Sequence, residues 1–124
     1  MRVLIVDGAN VVGSRPDGWW RDRAGAAHRL HAAILASELG FDLVELVLEG
    51  KAKGGQPAGE DGAVRTVHAQ GSGDDAIVGQ VRTHTADGDE VEVVTADRAL
   101  RERVRAAGGS SVGPSWLLDQ IESG

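Results

Sequence analysis

Cysteine is absent from the 124 residues, so neither a disulfide nor a thiolate-bound metal can belong to this chain. Long apolar runs are absent as well. No stretch approaches the ~20 apolar residues that cross a bilayer. The amino-terminal apolar run covers only residues 3–6 behind a single Arg2, too short for a secretory signal, and the expected compartment is the cytoplasm. Positive charge is in deficit: the net charge of −6 argues against coating duplex DNA by counterion release. It is compatible with a nucleic-acid enzyme whose acids gather around a cation. Aromatics are few, with three Trp, one Phe and no Tyr, and two of the Trp are adjacent at Trp19 and Trp20. The P-loop, the dinucleotide-binding glycine pattern, HExxH and the GxSxG elbow are all missing, which removes the nucleotide-binding and hydrolase classes that depend on them.

What is present reads as one α/β domain over residues 1–124, long enough to bury roughly two-thirds of its unfolded surface. The unbroken Val-Leu-Ile-Val of residues 3–6 predicts a strand covered on both faces. Residues 8–20, rich in Gly and carrying Ser-Arg-Pro-Asp-Gly, predict a loop. Helical spacing follows over about residues 21–39, stopped by Gly40. A second strand is expected over residues 41–48, a polar and mobile loop over 49–62, and a third strand over 63–69. Ser72, with an acid three residues on, predicts an N-cap and a helix to about Thr85. A fourth strand over 90–95, a helix over 99–107, a short strand at Ser110–Val112 and a last helix opened by Pro114 complete the chain. Alternating strands and helices predict a three-layer sandwich with a mostly parallel, roughly five-stranded sheet.

Parallel sheets bind ligands beyond the carboxyl ends of their strands. Three acid positions fall there: Asp7 ends strand one, Asp74 and Asp75 open the helix after strand three, and Asp97 follows strand four. Helix capping accounts for Asp97 equally well, and dipole-complementing acids account for Asp74 and Asp75. Asp7 is different, because an acid enclosed after four apolar residues costs several kcal/mol without a partner. Clustered carboxylates repel unless a cation sits between them. Hard oxygen donors without Cys or His suit Mg²⁺ or Mn²⁺. Such a site hydrolyses phosphoesters.

Three segments carry a family resemblance. Val-Asp-Gly-Ala-Asn-Val-Val, at the end of the first strand, resembles the opening Asp-Gly-x-Asn motif of NYN domains, the PIN-like metal-dependent ribonucleases. Ser-Gly-Asp-Asp-Ala-Ile-Val resembles their second motif, an acid opening a helix with an aliphatic residue three further on. Thr-Ala-Asp-Arg resembles the third, a Thr/Ser-x-Asp after the fourth strand. Order and spacing agree across essentially the whole chain. The resemblance implies a PIN-like fold and an endoribonuclease that hydrolyses RNA phosphodiester bonds through Mg²⁺ or Mn²⁺, leaving a 5′-phosphate. It implies Asp7, Asp74 and Asp97 as metal-binding acids, with Asp75 the alternative ligand in the second motif. Asn10 would orient an acid or hold the scissile phosphate. Many PIN-like sites carry a fourth acid, for which Asp22, at the start of the first helix, is a candidate and Asp17, in the loop before it, a weaker one. Relatives of this kind often pair, so a homodimer using Trp116 or an exposed Trp is a further expectation.

Trp19, with Arg21 and Arg23 beside it, offers a stacking and phosphate surface for single-stranded or structured RNA. The competing reading packs one Trp under the helix. Arg15 in the same loop and Arg98 after Asp97 are expected to reach phosphate. Two other functions use the same residues: a nucleotide phosphohydrolase with the same acids, and a catalytically degenerate NYN-like module that binds RNA or a protein without cutting it.

Overall fold

The computed structural model describes residues 1–122. Its centre is a six-stranded sheet in the order β3-β4-β2-β1-β5-β6. The strands are β1 (Arg2–Asp7), β2 (Leu43–Leu48), β3 (Gly59–Asp61), β4 (Val64–His68), β5 (Glu90–Val94) and β6 (Ser110–Val112). All pair in parallel except the edge strand β3, which runs antiparallel to β4. The helices are α1 (Gly8–Gly13), α2 (Arg23–Leu35), α3 (Gly73–Ala86), α4 (Arg98–Ala106) and α5 (Pro114–Glu122), with short 3₁₀ turns at Trp19–Arg21 and Gly50–Gly55.

The alternation of side chains along a strand sorts the core into two layers. Val3 and Ile5 of β1 pack with Ile77 and Val81 of α3 and with Leu100 and Val104 of α4. Leu4 and Val6 pack on the other face, with Val11 of α1, Leu30 and Ile34 of α2, and Leu117 of α5. Both faces are thus covered, as the unbroken apolar run requires. One acid interrupts this pattern: Glu45 in the middle of β2 is fully buried. Arg65 Nη1 donates to its Oε2 at 3.0 Å, and His84 Nε2 lies 2.8 Å from its Oε1.

Chain order and strand order part company at β1. The chain runs from β1 outward to β2 and β4, then α3 carries it back so that β5 lies on the opposite side of β1. The ends of β1 and β5 therefore flank the point where the winding reverses, which is where ligands bind in such sheets.

Four expectations need correction. Residues 8–13 form α1 rather than loop, because the Asp7 side chain caps the turn by accepting the Asn10 amide. The helix expected over residues 21–39 is shorter, since Asp22 caps it at one end and the chain leaves the helix after Leu35. The sheet has six strands rather than about five, because residues 59–61 add the antiparallel edge strand. The segment 49–62 is docked rather than free. Gly55 presses on α2 so closely that a Cβ there would stand 2.0 Å from Ala24 O. Two ring contacts hold the same turn: His28 Nδ1 lies 3.2 Å from Gly55 O, and His68 Nε2 lies 2.7 Å from Gln56 O. Among the described residues no helix is long and apolar enough to cross a membrane.

Candidate active site

Asp7 is the last residue of β1 and is 7% exposed. Among the described residues its carboxylate receives neutral donors alone. The Asn10 amide donates to Oδ1 at 3.3 Å and the Thr95 hydroxyl donates to Oδ2 at 2.9 Å. Burial pushes its pKa up; these two hydrogen bonds oppose the rise, and the charges of Asp74 and Glu49 add to it. Gly8, next in the chain, must be small: a Cβ would lie 2.7 Å from Val47 O, so α1 can start hard against β2 only with glycine there.

The loop after β5 is tied to this carboxylate from several directions. Thr95 Oγ1 accepts the Asp97 amide at 3.2 Å while donating to Asp7. Asn10 Oδ1 accepts the Ala96 amide at 2.8 Å, and Arg101 Nε donates to Thr95 O at 2.8 Å. The Asn10 side-chain oxygen is thus committed to Ala96, which leaves its Nδ2 to donate outward. Asp97 caps α4 by accepting the Leu100 amide at 3.0 Å. Its capping role coexists with a link from its amide to Asp7 through the Thr95 hydroxyl.

Asp74, half-buried in the first turn of α3, has its pKa raised first by burial and then by the charges of Asp97 and Glu49; Arg103 partly offsets this. Glu49, immediately beyond β2, is the fourth acid of the cluster. Its Oε2 accepts the Gly73 amide at 2.6 Å. A Cβ on Gly73 would come within 3.2 Å of that carboxylate, so glycine at the helix start lets the acid approach. Among the described residues none of Asp7, Glu49, Asp74 and Asp97 is in an ion pair with a basic side chain.

The remaining candidates lie partly around this cluster and partly away from it. Asp75 is exposed and accepts from Arg103 Nη2 at 2.8 Å, which together with the Ser72 hydrogen bond holds its carboxyl below the usual range. Asp22 accepts the Gly25 amide at 2.8 Å as the cap of α2, whereas Glu49 is the further acid whose charge acts on both Asp7 and Asp74. Arg15 is paired with Glu122. Arg23 lies over the Trp19 ring at 5.2 Å and Arg21 over Trp20 at 5.8 Å. The two indoles meet edge to face at 6.1 Å, with Trp19 partly buried and Trp20 54% exposed. Arg98, first in α4, is exposed beside Asp97. Trp116 packs edge to face on Phe41 at 6.3 Å, partly buried against the core.

Sequence reasoning passed over Glu49 and Thr95. Glu49 carried a signal: Leu-Val-Leu-Glu-Gly at the end of β2 repeats the Leu-Ile-Val-Asp-Gly of β1, an acid and a glycine directly after an apolar strand. Thr95 was visible as part of a motif, but its bond to Asp7 spans 88 residues.

The donor set suits a hard divalent cation, being four carboxylates and no sulfur or imidazole. Among the described residues no three acidic or histidine side chains converge tightly enough to enclose one ion. Mg²⁺ commonly takes only one or two carboxylates and keeps its remaining waters, so the arrangement is compatible with it.

No protein-family model matches the chain, and no curated protein matches it in sequence. Among solved structures it is similar to Rae1 (YacP) from Bacillus subtilis. The likeness has a TM-score of 0.77 at 19% identity and covers 99% of this chain and 75% of that one. A mutant of the same protein matches with a TM-score of 0.70 at 18% identity, covering 99% and 76%. The two chains share a fold.

Proposed function

We propose that this protein is a metal-dependent endoribonuclease. The observation that carries the reading is the cluster of Asp7, Glu49, Asp74 and Asp97 at the winding reversal. Among the described residues no ion pair to a basic side chain neutralises any of the four; Asp74 and Glu49 raise the pKa of Asp7, and Asp97 and Glu49 raise that of Asp74. The three-motif resemblance to NYN domains and the Rae1 fold support it. Asp7, Asp74 and Asp97 would hold Mg²⁺ or Mn²⁺, with Glu49 bearing on the same centre. When bound, the ion supplies charge neutralisation at the phosphorus oxygens and lowers the pKa of an attacking water.

The chain's own residues prepare this chemistry. Thr95 and the Asn10 amide fix the Asp7 carboxylate, so its free lone pairs keep one orientation. Asn10 ties the Asp97 loop to α1 and keeps Nδ2 available to donate to a phosphate oxygen. Arg98 stands beside Asp97 as an exposed cation for the RNA backbone. A second reading, an RNA- or protein-binding module that does not cut, is favoured by the lack of three convergent acids among the described residues.

End-labelled single-stranded RNA incubated in EDTA, Mg²⁺ or Mn²⁺, beside Asp7→Asn, tests the proposal. Cleavage that needs metal and is lost in the variant is the expected result. No cleavage, together with a melting temperature indifferent to either metal, overturns it and leaves the binding module.

A further inference from the structure

Beside the acids the molecule holds a cavity of about 320 Å³, enclosed by α1, the 3₁₀ turn Trp19–Arg21, the start of α2 and the turn Gly50–Gly55. One wall is the Trp19 ring with the Arg23 guanidinium over it. Leu48 and Ala52 supply apolar surface, and Gly8 and Glu49 place the cavity next to the acid cluster, one following Asp7 and the other belonging to it. From these features we infer that the cavity receives one unpaired nucleobase of the RNA strand whose phosphate lies at the acids. The inference rests on the nuclease reading for its neighbour but on separate residues for its chemistry.

A planar base suits this wall on two counts. Single-stranded RNA is recognised by stacking bases on indole rings and guanidinium planes. The stack tolerates any base, because every base has a π-face. The walls are also held in advance. Trp19 faces Gly13 of α1, where a Cβ would make an ordinary contact with its ring at 3.6 Å, and it meets Trp20 edge-on. The opposite wall is pinned to α2 by the tight approach of Gly55 to Ala24 O and by the His28 contact. A preformed site of this kind loses little conformational entropy on binding. Enclosure adds a selection: a base inside a duplex cannot enter, so the strand must be unpaired at that nucleotide. Trp20, outside the cavity and exposed, has no part in the pocket.

The test uses the full chain, ¹⁵N-labelled, with the three indole N–H signals assigned through Trp19→Phe and Trp20→Phe. The four ribonucleosides, which carry no phosphate, are titrated in EDTA, with ribose as the control. The expected result is a saturable shift of the Trp19 signal alone, absent with ribose. Ala52→Leu, which fills the cavity while leaving Trp19 and the acids in place, should abolish that shift and leave any Mg²⁺-dependent rise in melting temperature intact. Equal shifts of Trp19 and Trp20, or no shift at all, overturn the pocket even if the protein cuts RNA. A Trp19 shift in a protein that cuts no RNA keeps the pocket and removes the nuclease. In an active protein, an abasic nucleotide scanned through the RNA should lower cleavage at one fixed distance from the cut by about five-fold or more, the lower end of a stacking contribution.

Discussion

Glu49 Oε2 accepts the Gly73 amide at 2.6 Å, joining the end of β2 to the first residue of α3. This contact brings the fourth acid and Asp74 to the same place, although neither lies on a strand that neighbours the other's helix in sequence. Glu49→Gln keeps an acceptor for Gly73 and removes the charge. It is expected to fold with near wild-type stability while the rise in melting temperature on adding Mg²⁺ shrinks and cleavage falls. Glu49→Ala also strands the amide and should lower stability further, by about 1 kcal/mol or more, measured by urea denaturation. A Glu49→Gln variant with the wild-type metal response and cleavage rate, beside a destabilised Glu49→Ala, would confine Glu49 to a structural role.

The raised pKa values of Asp7 and Asp74 set the sign of a pH effect in metal-free protein. A carboxyl whose folded pKa exceeds its unfolded value contributes stability that is present below the unfolded pKa and disappears as pH rises through the folded one. Asp74→Asn should therefore match wild type at acidic pH, below the ordinary carboxylate value of 3.8. Above the folded pKa it should be the more stable protein in EDTA, by up to about 1 kcal/mol, the scale of a partly exposed charge interaction. Added Mg²⁺ should erase or reverse that advantage. Asp75→Asn removes only the exposed pair with Arg103 and is expected to keep cleavage; loss of cleavage there instead would move the ligand from Asp74 to Asp75. Melting curves across pH with and without metal decide the first point, and a cleavage assay in Mg²⁺ or Mn²⁺ decides the second.

Thr95 is buried and its hydroxyl connects Asp7 to the Asp97 amide. Thr95→Val conserves shape but leaves the Asp97 amide and one Asp7 oxygen without that partner. The expected cost is about 1–3 kcal/mol, with a lower cleavage rate in excess metal. Thr95→Ser restores the hydroxyl and should recover most of the rate, whereas a purely packing role would make Ser the poorer replacement.

Gly55→Ala should destabilise by roughly 1–3 kcal/mol, the usual scale of overpacking, because the added Cβ would meet Ala24 O at 2.0 Å. The turn cannot yield locally without losing its seat on α2. Chemical denaturation measures the cost. An unchanged midpoint would mean that the turn Gly50–Gly55 is held much less tightly than its contacts with α2 and His28 indicate.

The periodicity of residues 3–6, the capping signature at Ser72 and the acid-after-strand placement of Asp7 and Asp97 are local properties, and each is legible in the sequence alone. Local pattern was also enough for the class of fold, since runs buried on both faces and separated by helices admit few arrangements. It misjudged α1 and the segment 49–62. In the first, a side-chain cap from Asp7 outweighed a glycine-rich composition. In the second, docking of Gly55 on α2 and pairing of residues 59–61 with β4 ordered a polar stretch that has no apolar pattern of its own.

The sequence by itself determined most of the strands and helices, α1 and the edge strand β3 excepted, and that acids stand at several strand ends, because those outcomes depend on residues within a few positions of one another. Only the tertiary structure decided which acids meet. Strand order puts β5 beside β1 and so carries Thr95 to Asp7 across 88 residues, and it turns Glu49 toward α3, while Asp22 finds a local partner in Gly25 and Asp75 pairs with Arg103 of α4. The reason is that through-space proximity follows from how the whole sheet minimises its exposed apolar surface, a sum over both core layers that no single motif contains.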